Sequence, residues 1–492
     1  MLLGNATLEA EVVAEPIGLR NSPAALLELL GDVEDPVLLD SSAFHPEYGR
    51  FSMLACLPIE VLTLREGTLR DRAGRVLASG SDEAIWSALG KALSSVRLSR
   101  PGPGGYVPGW IGYVGYEVGR HIERLPGQAV RDTRLPDLRL AFYDALLVHD
   151  SLEDRSCLVE LRFARPPRGA GRAGAVFRDV AQRTIRAPKE PPPEPTERAS
   201  AAVRPAIHDA RPNFTPSEYR RAVQRCIDYI AAGDIFQVNL SQRFEMEGGP
   251  DPLRIYRALR RRNPAWYACY LGFREAGEPC AVLSSSPELF LRVRGRHVMT
   301  RPIKGTRPRL GSEQADAAAK ADLLASAKDN AELAMIVDLL RNDLGRLCEY
   351  GTIRVSEPRT LETHPTVFHL VGTVEGMLRA GVGPADLLRA TFPGGSITGA
   401  PKIRAMEIID ELEGLARCVY TGCIGIVGVD GSCEWNIAIR TVLCEGERIL
   451  LQVGGGVVAD SDPLGEYHET LHKARAIFEA LAEARSGAPV PR

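Results

Sequence analysis

The sequence lacks the features that mark secreted, membrane-spanning or nucleic-acid-binding proteins. Its ten cysteines are scattered without a CxxC pair, so neither a disulfide framework nor a zinc site is predicted. No apolar run approaches the length of a membrane span, and the acids near the amino terminus are untypical of a signal peptide. Basic and acidic residues nearly balance, at 60 and 63, which favours neither nucleic acid nor a membrane surface as a partner. These absences predict a soluble cytoplasmic protein.

One proline-rich segment divides the chain. Residues 186–205 read "RAPKEPPPEPTERASAAVRP", and five prolines interleaved with charges cannot form a helix or a central strand. A chain of 492 residues is long enough for two or three domains. The sequence therefore predicts an amino-terminal subdomain over 1–185, an exposed linker over 186–205 and a catalytic domain over 206–485.

Local signals place both strands and helices along the chain. The stretch "LTLREGTLR" predicts a hairpin that turns near Glu66 and Gly67. Thr215 and Glu218 have the spacing of a capping box and predict the start of a helix. Apolar residues at helical spacing predict two further helices, over 326–345 and 462–484. Helices and strands in this irregular order favour the α+β class.

Three carboxylates lie on predicted helices in patterns that call for explanation. Glu466, Glu469 and Lys473 have i, i+3 and i+7 spacing and share one helical face, which is ordinarily a solvated face with a Glu469–Lys473 pair. Glu332 has apolar residues at i+4 and i+7, where an ionised carboxylate is costly unless a cation meets it. The three carboxylates together predict an oxygen-lined site for Mg²⁺ that keeps some of its waters.

Two glycine-containing stretches are candidate ligand contacts. The run "QVGGGVVADSDP" is typical either of a turn or bulge, or of a backbone that closely approaches an anion. No P-loop and no strand-linked GxGxxG is present, which disfavours a nucleotide site. In "TRPIKGTRPR", Lys304 is crowded by Arg301, Arg307 and Arg309. Their charges, together with burial, predict a lowered pKa and hence a neutral, nucleophilic amine.

Four long motifs resemble the chorismate-utilising enzymes. They are "RPIKGTRPR", "FPGGSITGAPKIRAMEIIDELE", "NIAIRT" and "GEYHETLHKARAI", in the order that the family has them. The resemblance is dense over about residues 208–480 and extends weakly into "VLLDSSAFHPEYGRFSMLACLP". It implies large antiparallel β-sheets packed together and flanked by helices, with an amino-terminal subdomain.

The resemblance also implies a role for individual residues, all of which lie in or near these motifs. Glu332 and Glu469 match Mg²⁺ ligands, with Glu466 as a water-mediated partner; Arg440 and Tyr420 match residues that hold the enolpyruvyl carboxylate; Gly305, Thr306, Gly454, Gly455 and Gly456 match further chorismate contacts; Lys473 matches a carboxylate-binding lysine; Glu288 matches the acid that protonates the departing C4 hydroxyl; and His369 matches a histidine beside the ring. Apart from the motif, the alternative interpretation of His369 is a satisfied core histidine.

Two positions predict which reaction the site carries out. Gln237 stands where relatives that add water to chorismate have a lysine, and glutamine cannot act as that base. Lys304 gives "PIKGT", whereas the anthranilate-forming branch has a small residue at that place. A lysine that bonds to C2 as the C4 hydroxyl leaves would direct ammonia to C4. The alternatives are amination at C2, which leads to anthranilate, and a non-catalytic ligand-binding subunit.

A partner and a second ligand site also follow from the resemblance. No Cys-His-Glu glutaminase segment is evident in the sequence, so ammonia is expected from a separate glutamine amidotransferase subunit. Ser41 of "LLDSS" matches part of the family's tryptophan pocket, and "NPAWY", with Trp266 and Tyr267, matches the rest. Trp266 is bulkier than the family's residue there, which disfavours tryptophan binding.

Overall fold

A computed structural model describes residues 7–19, 22–102, 104–186 and 210–486 of the chain. The predicted linker lies outside the described residues except for its first position. The division into two domains on either side of it therefore stays a prediction. Among the described residues, none of the helices is both long and apolar enough to cross a membrane.

The described residues form ten α-helices, 25 strands and two short 3-10 helices, Tyr116–His121 and Gly395–Ile397. The helices are α1 Pro23–Leu29, α2 Asp82–Leu93, α3 Arg172–Arg186, α4 Pro216–Ala231, α5 Pro252–Arg262, α6 Glu313–Ala325, α7 Ala327–Gly345, α8 Pro384–Thr391, α9 Lys402–Glu413 and α10 Pro463–Arg485. The strands are β1 Leu8–Ile17, β2 Val37–Asp40, β3 Phe51–Ala55, β4 Glu60–Arg65, β5 Thr68–Arg70, β6 Val76–Ser79, β7 Val96–Leu98, β8 Gly109–Val114, β9 Leu138–Tyr143, β10 Ala145–Asp150, β11 Arg155–Phe163, β12 Arg211–Pro212, β13 Gln237–Met246, β14 Tyr267–Glu275, β15 Glu278–Ser286, β16 Leu289–Arg294, β17 His297–Arg301, β18 Ile303–Pro308, β19 Arg354–Thr363, β20 Val367–Met377, β21 Gly399–Ala400, β22 Cys423–Gly428, β23 Cys433–Ile437, β24 Thr441–Glu445 and β25 Arg448–Val457.

The strands form two large sheets, and both sheets combine strands from before and after the predicted linker. The first has the order β12-β13-β25-β24-β15-β14-β2-β3-β10-β11-β1-β7, with β21 beside β13. The second has the order β18-β20-β17-β16-β23-β22-β8-β9-β4-β5-β6, with β19 beside β20. The described strands pair antiparallel except for β1 with β7. The amino-terminal and carboxy-terminal parts are thus joined through β2–β14 and β8–β22.

The two sheets bury an apolar layer between them, and helices cover their outer faces. Ile111, Cys269, Val282 and Ile424 belong to the shared layer, and each is at most 2% exposed. Helices α2, α7 and α8 pack on the second sheet, whereas α1, α3, α5 and α10 pack on the first. This arrangement confirms the predicted α+β class.

The predictions that rest on a few neighbouring residues, the hairpin and the capping box, are confirmed. Strands β4 and β5 pair across Glu66 and Gly67 as a hairpin. The Thr215 side chain caps α4, and Glu218 completes the capping box. The glycine run forms neither a turn nor a bulge: all of it lies inside β25, in regular register with β13. Side chains of the candidate active site lie close to these glycines.

Candidate active site

The side chains of Lys304 and Glu288 meet at one residue, Ser396, in the short 3-10 turn Gly395–Ile397. The Nζ atom of Lys304 donates a hydrogen bond to the Ser396 carbonyl oxygen, at 3.2 Å. The Ser396 hydroxyl donates to Oε1 of Glu288, at 2.6 Å. The turn therefore places the candidate nucleophile beside the candidate acid. Ser396 lies in the motif "FPGGSITGAPK", but no pattern in the sequence indicates a role for this serine.

Lys304 has the lowered pKa that the sequence predicts, although for a partly different reason. Burial is the main cause, and the charge of Lys473 acts in the same direction, while Glu332 and Glu288 oppose it. The predicted influence of the three neighbouring arginines is wrong, because each pairs with a carboxylate: Arg301 with Glu362, Arg307 with Asp322 and Asp329, and Arg309 with Asp316. No carboxylate forms a salt bridge with Lys304 in the part of the chain that the structure describes.

Glu288 is placed to hold a proton near neutral pH. Its side chain lies inside the protein, and burial raises its pKa to about 7. The hydrogen bond from Ser396 and the charge of Lys304 oppose this shift but do not cancel it. A carboxyl whose pKa is close to the working pH is suited to general acid catalysis.

The side chains of Gln237 and Lys304 both face Gly456 of the glycine strand. A Cβ atom added to Gly456 would lie 2.2 Å from Nε2 of Gln237 and 3.6 Å from Nζ of Lys304. The first distance is too short for a Cβ atom, so only glycine leaves Gln237 in place, whereas the second is an ordinary contact. The Oε1 atom of Gln237 is buried and accepts no hydrogen bond from the described residues. A buried carbonyl oxygen without a donor is an acceptor available to a ligand.

Two of the three predicted metal ligands meet over the neighbouring glycine. A Cβ atom added to Gly455 would lie 3.1 Å from Oε2 of Glu466 and 3.2 Å from Oε1 of Glu469. Oε1 of Glu466 accepts from the Ser461 hydroxyl, at 2.6 Å, whereas its Oε2 is buried without a described partner. Burial raises the pKa of Glu332 and of Glu466, which is what an unneutralised carboxylate undergoes.

These carboxylates fit a cation that keeps part of its water shell. Among the residues that the structure describes, no three side chains of the His, Cys, Asp and Glu types form a complete metal site. Mg²⁺ commonly takes one or two carboxylates together with waters and an anionic ligand, so a complete protein cage is not required. The unpartnered Oε2 of Glu466, which lies beside the carboxylate of Glu469, makes these two carboxylates candidate ligands.

Lys473 forms the helical pair that its spacing allows. Its Nζ lies 2.7 Å from Oε1 of Glu469 and donates to the Gly454 carbonyl oxygen at 3.0 Å. This pairing lowers the pKa of Glu469. The shared face is not simply solvated, because Glu466 is only 5% exposed, while Lys473 keeps an accessible side chain. The same helical face thus carries both the ordinary Glu469–Lys473 pair and the buried carboxylate of Glu466, a candidate ligand.

His369 is not a satisfied core histidine. Its Nδ1 lies 2.9 Å from the Thr306 hydroxyl, while its Nε2 is buried without a partner among the described residues. Burial, Arg440 and His364 hold the pKa of His369 well below its usual range, so the ring is neutral. Gly305, between Lys304 and Thr306, has a φ of +76°, a conformation that favours glycine.

Arg440 has a partly buried guanidinium with no carboxylate partner among the described residues. Burial lowers its pKa to about 10, and its Nη1 donates to Oδ1 of Asn263 at 3.3 Å. No salt bridge joins it to any described residue, so an anionic ligand would complete it. Tyr420, predicted to act with Arg440, is buried with Arg417 5.7 Å from its ring centre. Within the described ranges, no hydrogen bond joins Tyr420 to Arg440.

The candidate tryptophan pocket borders these residues and is nearly filled. Ser41, Trp266 and Tyr267 line a cavity of about 40 Å³, whereas small-molecule sites typically have ~300–1,000 Å³. The Trp266 ring lies 4.2 Å from the ring of His364, which in turn lies 4.9 Å from the ring of His369. His364 and Asn263 link this region to the candidate site. Asn263 is the first residue of the "NPAWY" motif, whereas no sequence motif indicated His364.

Comparisons with known proteins agree with this arrangement. A family model described as chorismate binding enzyme matches residues 57–479. Anthranilate synthase component 1 of Pseudomonas aeruginosa is 37% identical over 469 residues, 94% of each chain. Aminodeoxychorismate synthase component 1 of Salmonella typhimurium is 37% identical over 448 residues, covering 90% of this chain and 92% of that protein. The crystal structure of anthranilate synthase component I from Streptococcus pneumoniae matches with a TM-score of 0.69 at 30% identity, covering 87% of this chain and 92% of that one.

Proposed function

The chain belongs to the chorismate-binding enzyme family, and from that premise we propose that it is aminodeoxychorismate synthase component I. It is a chorismate-utilising enzyme of the anthranilate and aminodeoxychorismate synthase type. In the proposed reaction, chorismate and ammonia give 4-amino-4-deoxychorismate and water. A separate lyase would then release p-aminobenzoate for folate synthesis. The observation that carries the proposal is Lys304, held beside Glu288 by Ser396.

The proposed chemistry has two balanced steps. In the first, neutral Nζ of Lys304 bonds to C2, the two ring double bonds shift, and the C4–O bond breaks as Glu288 gives its proton to the leaving oxygen, which departs as water. The alkylated nitrogen then returns a proton to the Glu288 carboxylate. In the second step, ammonia bonds to C4, the double bonds shift back, and the C2–Nζ bond breaks as the nitrogen regains a proton and the new C4 amine loses one. C2 is blocked while ammonia enters.

The other site residues support binding and orientation of a dianionic substrate. Arg440 would hold one carboxylate through two parallel hydrogen bonds, and Lys473 would contact the other. Glu332 and Glu469, with Glu466, would hold Mg²⁺, which when bound would offset the carboxylate charge of chorismate. The open Oε1 of Gln237 would accept an N–H or O–H of a reactant. Since glutamine carries no basic group, this set of residues disfavours the addition of water.

The competing function is anthranilate synthase component I. The observation that favours it is the equal identity, 37%, to relatives named for either enzyme. On both proposals the ammonia would come from a separate glutamine amidotransferase subunit, and ammonium ions at high concentration would replace that subunit.

The proposed function is tested by identifying the product. The chain is incubated with chorismate, Mg²⁺ and ammonium, with and without an added aminodeoxychorismate lyase. We expect chorismate to be consumed in both samples and p-aminobenzoate to form only with the lyase. Anthranilate fluorescence in the sample without lyase would reject the proposal in favour of the competing one. If chorismate is not consumed in either sample, the chain is a ligand-binding subunit.

A Glu332→Gln variant tests the metal site. The amide removes one negative charge from a carboxylate whose pKa is raised by burial, although the charges of Lys304 and Lys328 oppose this shift. We expect the Mg²⁺ concentration for half-maximal activity to rise by about 10-fold or more, the effect typical of losing a group that supports a metal. Asp338→Asn, on an exposed face of the same helix, is the matched control and should leave the titration unchanged. An unaltered titration for Glu332→Gln would remove this residue from the site.

A further inference from the structure

We propose that the buried ion pair of Arg417 and Glu413 positions the reacting groups of the active site. Both side chains are almost wholly buried, at 1% and 2% exposure. The guanidinium binds the carboxylate through two parallel hydrogen bonds, Nη2 to Oε1 at 2.6 Å and Nε to Oε2 at 2.8 Å. Such a fork has a fixed geometry, so whatever else the two groups hold is fixed relative to it.

The guanidinium holds three segments that carry candidate site residues. Its Nη1 donates to the Ile397 carbonyl oxygen at 3.1 Å and lies 3.2 Å from the Thr421 hydroxyl. Its Nη2 donates to the Asn239 carbonyl oxygen at 2.6 Å. Ile397 directly follows Ser396, Asn239 is two residues beyond Gln237, and Thr421 directly follows Tyr420.

The carboxylate of Glu413 holds the glycine strand in the same way. Its Oε1 accepts from the Ser241 backbone N–H at 2.7 Å and from the Ser241 hydroxyl at 2.6 Å. Nε2 of Gln452 donates to that hydroxyl oxygen, at 2.8 Å. Gln452 lies two residues before Gly454 in β25. One ion pair thus fixes the turn at Ser396, the start of β13 and the approach to the glycines.

The contact with Ile397 has the clearest consequence for turnover. Ser396 is the common partner of Lys304 and Glu288, so a shift of its turn displaces both groups at once. Displacements of about 1 Å can cost on the order of 10²-fold in rate. Arg417 is not among the residues proposed to hold the substrate carboxylates. Its loss should therefore lower kcat while leaving chorismate affinity nearly unchanged.

The positioning role also accounts for a charged pair at this depth. Removing two charges from water is costly, and well-packed apolar residues often replace a buried ion pair without loss of stability. An apolar replacement could not hold two backbone carbonyl oxygens and one hydroxyl oxygen at fixed positions. The inference rests on the proposed function in one respect, namely that Lys304 and Glu288 are the reacting groups.

The test compares Arg417→Lys with a matched control. Lysine keeps the charge and can reach Glu413, but its single amine cannot span the contacts of the guanidinium. Arg139→Lys is the control, because Arg139 is also buried, at 8% side-chain exposure, and pairs with Asp35 in the amino-terminal part. For each variant, kcat and KM are measured by total chorismate consumption, chorismate affinity by calorimetry, and Tm by circular dichroism.

We expect Arg417→Lys to lower kcat on the order of 10²-fold with an unchanged chorismate Kd. The control should lower Tm to a similar extent without lowering kcat. Glu413→Gln, which keeps the side-chain shape and an acceptor for Ser241, is measured as a second variant in case Arg417→Lys does not fold. A folded variant of either residue with wild-type kcat, or one that changes kcat no more than the control does, would overturn the proposal.

The readout separates this inference from the proposed function. Chorismate consumption is measured whichever carbon is aminated, so a wild-type enzyme that forms anthranilate would reject the proposed function and leave the kcat comparison valid. Conversely, C4 amination by a variant with wild-type kcat would retain the function and reject the positioning role. A wild-type chain that consumes no chorismate would overturn both.

Discussion

Lys304→Ala should lose amination at C4 by about 10³-fold, equivalent to about 4 kcal/mol of barrier, and should release some ortho amine instead. Without the side chain no nucleophile occupies C2, so ammonia can attack that carbon as the C4 hydroxyl leaves. The variant is assayed for both amines by chromatography, with and without added lyase. Because burial lowers the pKa of Lys304, the nucleophilic form is present in the wild-type enzyme at a lower pH than for an exposed lysine.

A lysine in a comparable setting provides the control. Nζ of Lys402 donates to the Thr391 carbonyl oxygen at 2.9 Å and pairs with Asp343, and its side chain is 14% exposed. Lys402→Ala should leave the ratio of the two amines unchanged even if it lowers stability. Lys304→Ala that makes only the C4 amine at the wild-type rate would exclude a covalent role. Mass spectrometry of the wild-type enzyme during turnover should show chorismate-derived mass on the peptide that contains residue 304.

The sequence predicted best those elements whose cause lies within a few residues. A capping box needs only Thr215 and Glu218, and a hairpin turn needs only Glu66 and Gly67, so both are visible in the chain. The common face of Glu466, Glu469 and Lys473 follows from helical periodicity alone. The resemblance added the candidate site residues, since its motifs are long and ordered, and the structure brings Lys304 and Glu288 together at Ser396.

The predictions that failed depended on neighbours that are distant in sequence. The glycine run forms a strand because it pairs with β13, and its glycines leave room for the side chains of Gln237, Glu466 and Glu469. No local pattern shows either relation. The arginines around Lys304 are close to it in sequence, but their guanidinium groups turn to carboxylates: Arg307 pairs with Asp322 and Asp329, and Arg309 pairs with Asp316. Arg301 even belongs to a different strand and pairs with Glu362.

Ser396 and Arg417 were missed for a related reason. Ser396 holds Lys304 through a backbone carbonyl, and every residue has one, so no residue type announces it. Arg417 acts on backbone carbonyl groups of segments that lie 20 and 178 residues away in the chain. A motif reveals side-chain chemistry, whereas positioning by the main chain becomes visible only when the strands and turns are assembled.

Glu288→Gln should lower activity but raise stability. We expect kcat to fall by about 10²–10⁴-fold, the usual contribution of a general acid. The competent enzyme has Lys304 neutral and Glu288 protonated, so wild-type activity should fall as the pH rises through about 7. Glutamine cannot give a proton to the departing hydroxyl at any pH. The variant should therefore lose this part of the pH dependence together with the activity.

The stability effect follows from the same shift. The pKa of Glu288 rises from 4.5 to about 7 on folding, so its contribution to stability is fully present below 4.5 and is lost as the pH rises through 7. The loss between these limits is at most about 3 kcal/mol, at ~1.36 kcal/mol per pKa unit. Glu288→Gln should remove it, and denaturant unfolding at pH 5 and pH 8 should show a smaller difference than in the wild type.

Glu117→Gln is the matched control, because burial raises the pKa of Glu117 to about 7 as well. Its Oε1 accepts from the Arg417 backbone N–H at 2.9 Å, a bond that glutamine retains. Glu117→Gln should reduce the pH dependence of stability to the same extent and leave kcat unchanged. If Glu288→Gln instead keeps wild-type activity at pH 8, the departing hydroxyl takes its proton from another group. If both variants gain the same stability but only Glu288→Gln loses activity, then Glu288 is the buried carboxyl that destabilises the fold and is required for the reaction.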